Sequence, residues 1–240
     1  MRGLARAARF AVLALGGALL LSALAVFSLR FIPPWTTAFI VHARVASWTD
    51  DDPRPWKLQR EWRNLDAISQ QMQLAVIAAE DQRFYEHAGF DFKQIRKALD
   101  QASRNGRARG ASTLSQQVAK NLFLWNGRSW VRKGIEAWFT VLIELLWPKQ
   151  RILEMYLNIA EFGRGVYGAE AASQAFYRKA AARLSRAEAA RLAAVLPNPI
   201  RLRADRPSKY VQRRQREIEA QMRALGGTAY LRPPAKASVH

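Results

Sequence analysis

Cysteine is absent from all 240 residues. That excludes thiol nucleophiles, disulfide frameworks and cysteine-ligated zinc together. Histidine is scarce: only His42, His87 and His240 occur, and no two stand four apart as a helical zinc pair requires. No internal repeat or long low-complexity tract is visible, and no stretch sustains the period-2 alternation of a half-buried strand. Acidic residues are few. Against 19 Asp+Glu stand 38 Lys+Arg, a formal net charge of +19. At 50% hydrophobic residues the chain is too apolar for a disordered basic tail. A charge of that size implies an anionic partner, and nucleic acid and an anionic membrane surface are the usual two.

The first thirty residues bear on that choice. Arg2, Arg6 and Arg9 precede an uncharged run of 20 residues, Phe10 to Leu29, which ends at Arg30. As a helix it spans ~30 Å, the thickness of a bilayer's hydrocarbon. Phe31, Pro33, Pro34 and Trp35 follow, as at an interface where a helix stops. The basic flank puts residues 1–9 in the cytoplasm, 10–32 in the membrane as a retained anchor, and the remainder outside. A cleaved signal peptide, with Ala23-Leu24-Ala25 as its cleavage site, is the alternative, but 20 apolar residues exceed the usual signal core. Either way the bulk is exported, which disfavours nucleic acid and favours an anionic membrane or a lipid-linked anion.

Residues 33–65, with Pro33, Pro34, Pro53, Pro55 and Asp50-Asp51-Asp52, read as a connecting segment with one short extended piece. From 66 to 226 the pattern is helical, and 227–240 is a tail. Helices are predicted over Asp66 to Glu80 and from Phe92 to about Ala102 with Asp91 as N-cap. Another opens at the capping box Thr113-Leu114-Ser115-Gln116. Ser129 caps a helix over Trp130 to Trp147 dense enough in apolar residues to be centrally buried. Further helices are predicted at Pro148 to Asn158, after the box Ser185-Arg186-Ala187-Glu188, and from Pro207 to Leu225 with Gly226 at C′. The fold class is therefore mainly α.

Four segments carry chemistry. In Glu80-Asp81-x-x-Phe84-x-x-His87-x-Gly89, Glu80 follows Val76 by one turn and continues an apolar face. Its carboxylate is partly desolvated there and its pKa raised toward that of a general base. The plainer alternative pairs it with Arg83, and His87 is structural. In Gly110-Ala111-Ser112-Thr113-Leu114-Ser115-Gln116-Gln117, small and hydroxyl residues open a helix whose free N–H groups suit anionic oxygens, with Gln117 and Lys120 on one face. Arg128 and Ser129 again sit at a helix start. In Arg132-Lys133-x-x-Glu136 the carboxylate is either half of a surface ion pair or a buried group held ionised by two cations. Ile152-Leu153-x-x-Tyr156-Leu157-Asn158 is a packing helix with Asn158 as a polar bridge.

These four motifs, in this order and spacing, resemble the family 51 glycosyltransferases, the peptidoglycan glycan-strand polymerases, over about residues 65–225. Asn121 to Trp125, Asn158 to Gly163 and Ala194 to Pro199 are similar to its monofunctional branch. No Ser-x-x-Lys or Lys-Thr-Gly is present, so no transpeptidase activity is expected. The resemblance implies a lysozyme-like helical domain beside a membrane-proximal lobe. It implies Glu80 as general base and Glu136 as second active-site carboxylate. Lys120 and Arg128 would hold the donor diphosphate, with Ser112, Gln117, Arg132 and Lys133 lining the cleft.

The substrates it implies are lipid II and the lipid-linked glycan at the bacterial inner membrane. The acceptor GlcNAc 4-hydroxyl would attack with inversion and undecaprenyl diphosphate would leave. No metal ligand set is visible. A divalent cation (Mg or Mn) near Glu136 is left open, as are contacts with cell-wall synthesis or division proteins. A lysozyme-like hydrolase, a membrane-anchored binding module and a nucleic-acid binder are the alternatives.

Overall fold

A computed structural model of the protein describes residues 2–49, 56–105, 110, 112–127 and 129–232. Among these residues the chain forms ten α-helices and one small sheet. Helix α1 spans Arg2–Leu29, and its stretch Arg9–Leu29 is long and apolar enough to cross a membrane. Most of its described side chains are exposed, but Val26 is buried against the rest of the protein.

The C-terminal end of α1 is fastened to the domain. A helix leaves its last four carbonyls without intrahelical partners. Here all four are met. Trp147 Nε1 donates to Val26 O (2.7 Å), Arg30 N to Phe27 O, Phe31 N to Ser28 O, and Arg151 Nη2 to Leu29 O (2.8 Å). Arg30 Nη1 returns a bond to Leu146 O (2.8 Å), and Trp138 Nε1 donates to Ser22 Oγ (3.0 Å).

The segment expected as a connector contains a helix, α2 (Ala38–Ala46), capped by Thr37 and packed on α5. The four prolines around it masked a readable Thr cap. Strand β1 (Gln59–Arg60) follows. Helix α3 runs Gln70–Glu80 and starts four residues later than expected, because Ser69 caps it by accepting from Gln71 N. Leu65–Ala67 is instead a 3-10 turn, held by Gln73 Nε2, which donates to Leu65 O and Ile68 O.

Helix α4 (Phe92–Asn105) starts where Asp91 Oδ1 accepts from Lys93 N and Gln94 N. Helix α5 (Leu114–Phe123) has the predicted capping box of Thr113 and Gln116. Ser129 caps α6 (Trp130–Leu146), and α7 (Lys149–Ile159) follows Pro148. Helix α6 is not buried all round. Arg132, Glu136, Thr140 and Ile143 face inward, while Trp130, Val131 and Leu145 are exposed.

A hairpin not expected from the sequence, β2 (Glu161–Gly163) and β3 (Val166–Tyr167), pairs antiparallel; β3 pairs parallel with β1, giving the order β1-β3-β2. Then come α8 (Ala169–Tyr177), α9 (Arg186–Val195) with the Ser185/Glu188 box, and α10 (Lys209–Ala224). Gly226 lies at φ +87, as a helix C′ position asks. Beyond it, Gly227–Leu231 forms a 3-10 turn, and Tyr230 Oη donates to Gln82 O (2.7 Å).

The core lies where α9 meets α3 and α10 and where α5 meets α6 and α7. Buried Ala189, Ala190, Ala193 and Ala194 keep α9 slim, so α3 can approach closely. Glu80, the last residue of α3, thereby reaches a groove that it shares with residues of α5 and α10.

Candidate active site

Glu80 ends α3 because Asp81 leaves the helical conformation and turns inward. Asp81 is buried and braces the site: Oδ2 accepts from Leu114 N (3.0 Å) at the start of α5. Gly89 N donates to His87 Nδ1 (3.2 Å), so His87 Nε2 carries the proton and donates to Asp81 Oδ1 (2.9 Å). His87 is thus structural, as expected. Gly89 lies at φ +85, and a Cβ there would stand 2.8 Å from Thr140 Cγ2 on α6. The glycine of this motif lets the turn press against α6. Arg83 bonds Glu86 and Asp91, which leaves Glu80 without that ion pair.

Glu80 Oε2 accepts from Gln117 Nε2 (2.8 Å) on α5. Burial raises the Glu80 carboxyl above its ordinary value. The Gln117 bond and the charges of Arg214 and Lys120 pull the other way. Lys120, one turn after Gln117, lies within the fields of both Glu80 and Glu136. Burial lowers its ammonium, opposed chiefly by Glu136, and its Nζ sits 5.2 Å from the Phe39 ring centroid.

Glu136 is buried on α6. Arg132 Nη1 donates to its Oε2 (2.7 Å) and Lys133 Nζ to its Oε1. Of the two readings open in the sequence, the buried carboxylate held by two cations is the one present. Arg132 Nε is buried with no partner among the described residues, so the guanidinium keeps a free donor. Arg132 and Lys133 line a recess with Ser129 and Trp130.

A groove of about 690 Å³ opens at Glu80, lined by Gly110, Ser112, Gln117 and Pro197, with Tyr210, Arg213 and Arg214 from α10. It meets a second cavity of about 270 Å³ at Gln117 and Pro197, where Lys120, Asn121, Tyr156 and Glu161 line the wall. The structure therefore brings Glu80, Ser112 and Gln117 into one groove and Lys120 into the adjoining one. Arg132, Lys133 and Glu136 form a cluster whose charges act on Lys120. Arg128, expected at the diphosphate, lies outside the described residues.

A half-buried carboxylate with a raised pKa, beside an open groove and a row of cations, can take a proton while an anion is held nearby. The family model described as transglycosylase matches residues 53–223. The chain belongs to the transglycosylase family. It is accordingly a glycosyl-transferring enzyme.

Proteins called biosynthetic peptidoglycan transglycosylase are similar to this family member over most of its length. One from Xanthomonas euvesicatoria pv. vesicatoria is 57% identical over 215 residues, 90% of this chain and 86% of the relative. One from Chromohalobacter salexigens is 54% identical over 228 residues, 95% of this chain and 97% of the relative. A third, from Pseudomonas syringae pv. syringae, is 56% identical over 210 residues and 88% of each chain.

In this transglycosylase domain three site neighbours were not read from the sequence. Tyr156 Oη donates to Gln117 Oε1 (3.2 Å), Arg214 Nη2 donates to Ala79 O beside Glu80 (3.2 Å), and Phe39 faces Lys120. Tyr156 stood in a motif taken for packing, and Arg214 in a helix read only for its caps. Nothing local marks either one. Asn158 is the expected bridge: Oδ1 accepts from Arg63 N, and Nδ2 donates to Arg63 O and Glu154 O, each at 2.8 Å.

Proposed function

We propose that the protein polymerises peptidoglycan glycan strands, with lipid II as acceptor and the growing lipid-diphosphate-linked glycan as donor. The observation that carries this reading is the Glu80 carboxylate at the mouth of the groove, held by Gln117 and followed along α5 by Lys120. Glu80 accepts the proton of the acceptor GlcNAc 4-hydroxyl. The oxygen attacks the anomeric carbon of the donor MurNAc from the face opposite the diphosphate, so an α-linked donor becomes a β-1,4 link with inversion. The C–O bond to the diphosphate breaks, and its electron pair leaves with undecaprenyl diphosphate.

A diphosphate leaves as an anion and needs cations rather than a protonating acid. Lys120 supplies one charge, and Arg132, whose Nε–H is buried, adds its field rather than a contact. Lys133, Arg128, Ser112 and Gln117 complete the proposed cleft, and Glu136 keeps Arg132 and Lys133 in place. A divalent ion has a poor donor set at Glu136, because both oxygens already bond Arg132 and Lys133. The chemistry proposed therefore runs on side-chain cations. The fastened end of α1 supports retention of the helix as an inner-membrane anchor, with the N-terminus cytoplasmic and the domain periplasmic. No transpeptidase step is included.

The test is polymerisation of purified labelled lipid II by the full-length protein in detergent. Wild type and Glu80→Gln are compared and products resolved by length. A glycan ladder from wild type and none from the folded variant is expected. Equal ladders from both would remove Glu80 as base. Cleavage of preformed glycan without any ladder would make the protein a hydrolase.

A further inference from the structure

We propose that Tyr156 is a positioning residue for Glu80: its phenol O–H occupies Gln117 Oε1 and so turns the amide to present Nε2–H to the carboxylate. This role rests on the reading of Glu80 as the general base. Three helices supply the relay. Tyr156 on α7 donates to Gln117 on α5 (3.2 Å), and Gln117 donates to Glu80 Oε2 at the end of α3 (2.8 Å). An amide has one acceptor end and one donor end. A carboxylate can only accept, so it needs the donor end, and the other end must then be satisfied by a donor. The phenol is that donor. Tyr156 is fully buried, and burial together with the Glu80 charge pushes its phenol well above the usual range. It remains a neutral O–H donor throughout the working pH range.

Without the phenol hydroxyl, the amide of Gln117 is free to flip. Its oxygen would then face Glu80 and favour the protonated carboxyl, the form that cannot act as base. The other charges acting on Glu80 are Asp81 beside it, Lys120 on α5 and Arg214 on α10. Arg213, Glu217 and Tyr210 line the same groove. On α9, which also packs on α3, Glu188 bonds Lys179 and Arg191 bonds Gln215. None of these contacts sets the orientation of the Gln117 amide.

The experiment is the pH profile of kcat and KM for glycan formation from lipid II by the full-length protein in detergent. The variants are Tyr156→Phe, Gln117→Leu, their combination, and Glu80→Gln as control. Tyr156→Phe is expected to move the acid limb of kcat up by about one pH unit. On that limb it loses activity about tenfold, recovers it at alkaline pH, and keeps its KM. Gln117→Leu should reproduce the shift, and the double variant should add nothing to Gln117→Leu.

An unmoved acid limb in Tyr156→Phe, or effects that multiply in the double variant, overturns the role. If Tyr156→Phe does not fold, Gln117→Leu decides, since it cuts the same relay with Tyr156 in place; an unmoved limb there refutes it. Absence of glycan from wild type would instead refute the polymerase reading, and this role with it.

Discussion

Glu80 and Glu136 are the same side chain in two opposite settings. Glu80 sits at the edge of an open groove with one neutral donor, Gln117, while its cations stand off on neighbouring helices. Glu136 is buried mid-helix with both oxygens taken by cations one turn away. One setting leaves a lone pair accessible and the proton affinity high. The other uses the negative charge to hold two positive ones in place. On the proposed reading, the two carboxylates would divide proton transfer and charge organisation by their surroundings.

The largest effect that would break this contrast is on turnover. Glu80→Gln should lower kcat by roughly 10²–10⁴, the worth of a general base. Its melting temperature should not fall. Burial raises the Glu80 carboxyl above its unfolded value, so the folded state holds that proton more tightly. The stability linked to it is complete at acid pH and is lost as pH rises through the folded value. Gln escapes that loss. The variant should melt at or above wild type at pH 8, and the two should converge toward acid pH. A variant that melts lower at pH 8 would count against the desolvated setting.

Glu136→Gln should show its clearest effect in stability. Removing one partner of a buried ion pair costs ~3 kcal/mol, or about 6–12 °C in Tm for a domain of this size. A Tm within a degree of wild type would mean that Arg132 and Lys133 do not depend on it. The smallest expected shift is that of the acid limb in a variant of the residue between them. Lys120→Met removes a charge that favours ionised Glu80, so the acid limb of kcat should move to higher pH by less than a unit. A limb displaced downward would refute that coupling. If Lys120 meets the leaving diphosphate as proposed, kcat also falls across the whole pH range, separately from the displaced limb.

Much of the scaffold was legible because its signals are local. A Ser or Thr with Gln or Glu three residues on satisfies helix-end N–H groups within one turn. Thr113/Gln116 and Ser185/Glu188 do so as read. The cations around Glu136 were legible for the same reason, since Arg132 and Lys133 stand one turn away, but its burial was one of two readings left open. The beginning of α3 was misjudged because Gln73, from inside the helix, ties down the preceding turn. The exposed side of α6 was missed because apolar density does not say which direction faces protein.

The relay through Tyr156 joins positions 39 residues apart, and Arg214 reaches Ala79 across 135. Only packing creates such contacts. Arg128 was read from its place before Ser129 and lies outside the described residues.

The closed accounting of the carbonyls at the end of α1 has a mechanical consequence. A helix that hands Val26 O to Trp147 and Leu29 O to Arg151 has no slack between itself and the domain. The joint is a bracket rather than a leash, and it fixes height. With α1 in a bilayer, the distance of Glu80 above the lipid surface would be a constant of the fold, and the proposed diphosphate-linked donor would have to reach that same height from the surface. Lengthening the junction by even a few glycines would decouple the two heights while leaving every catalytic group intact.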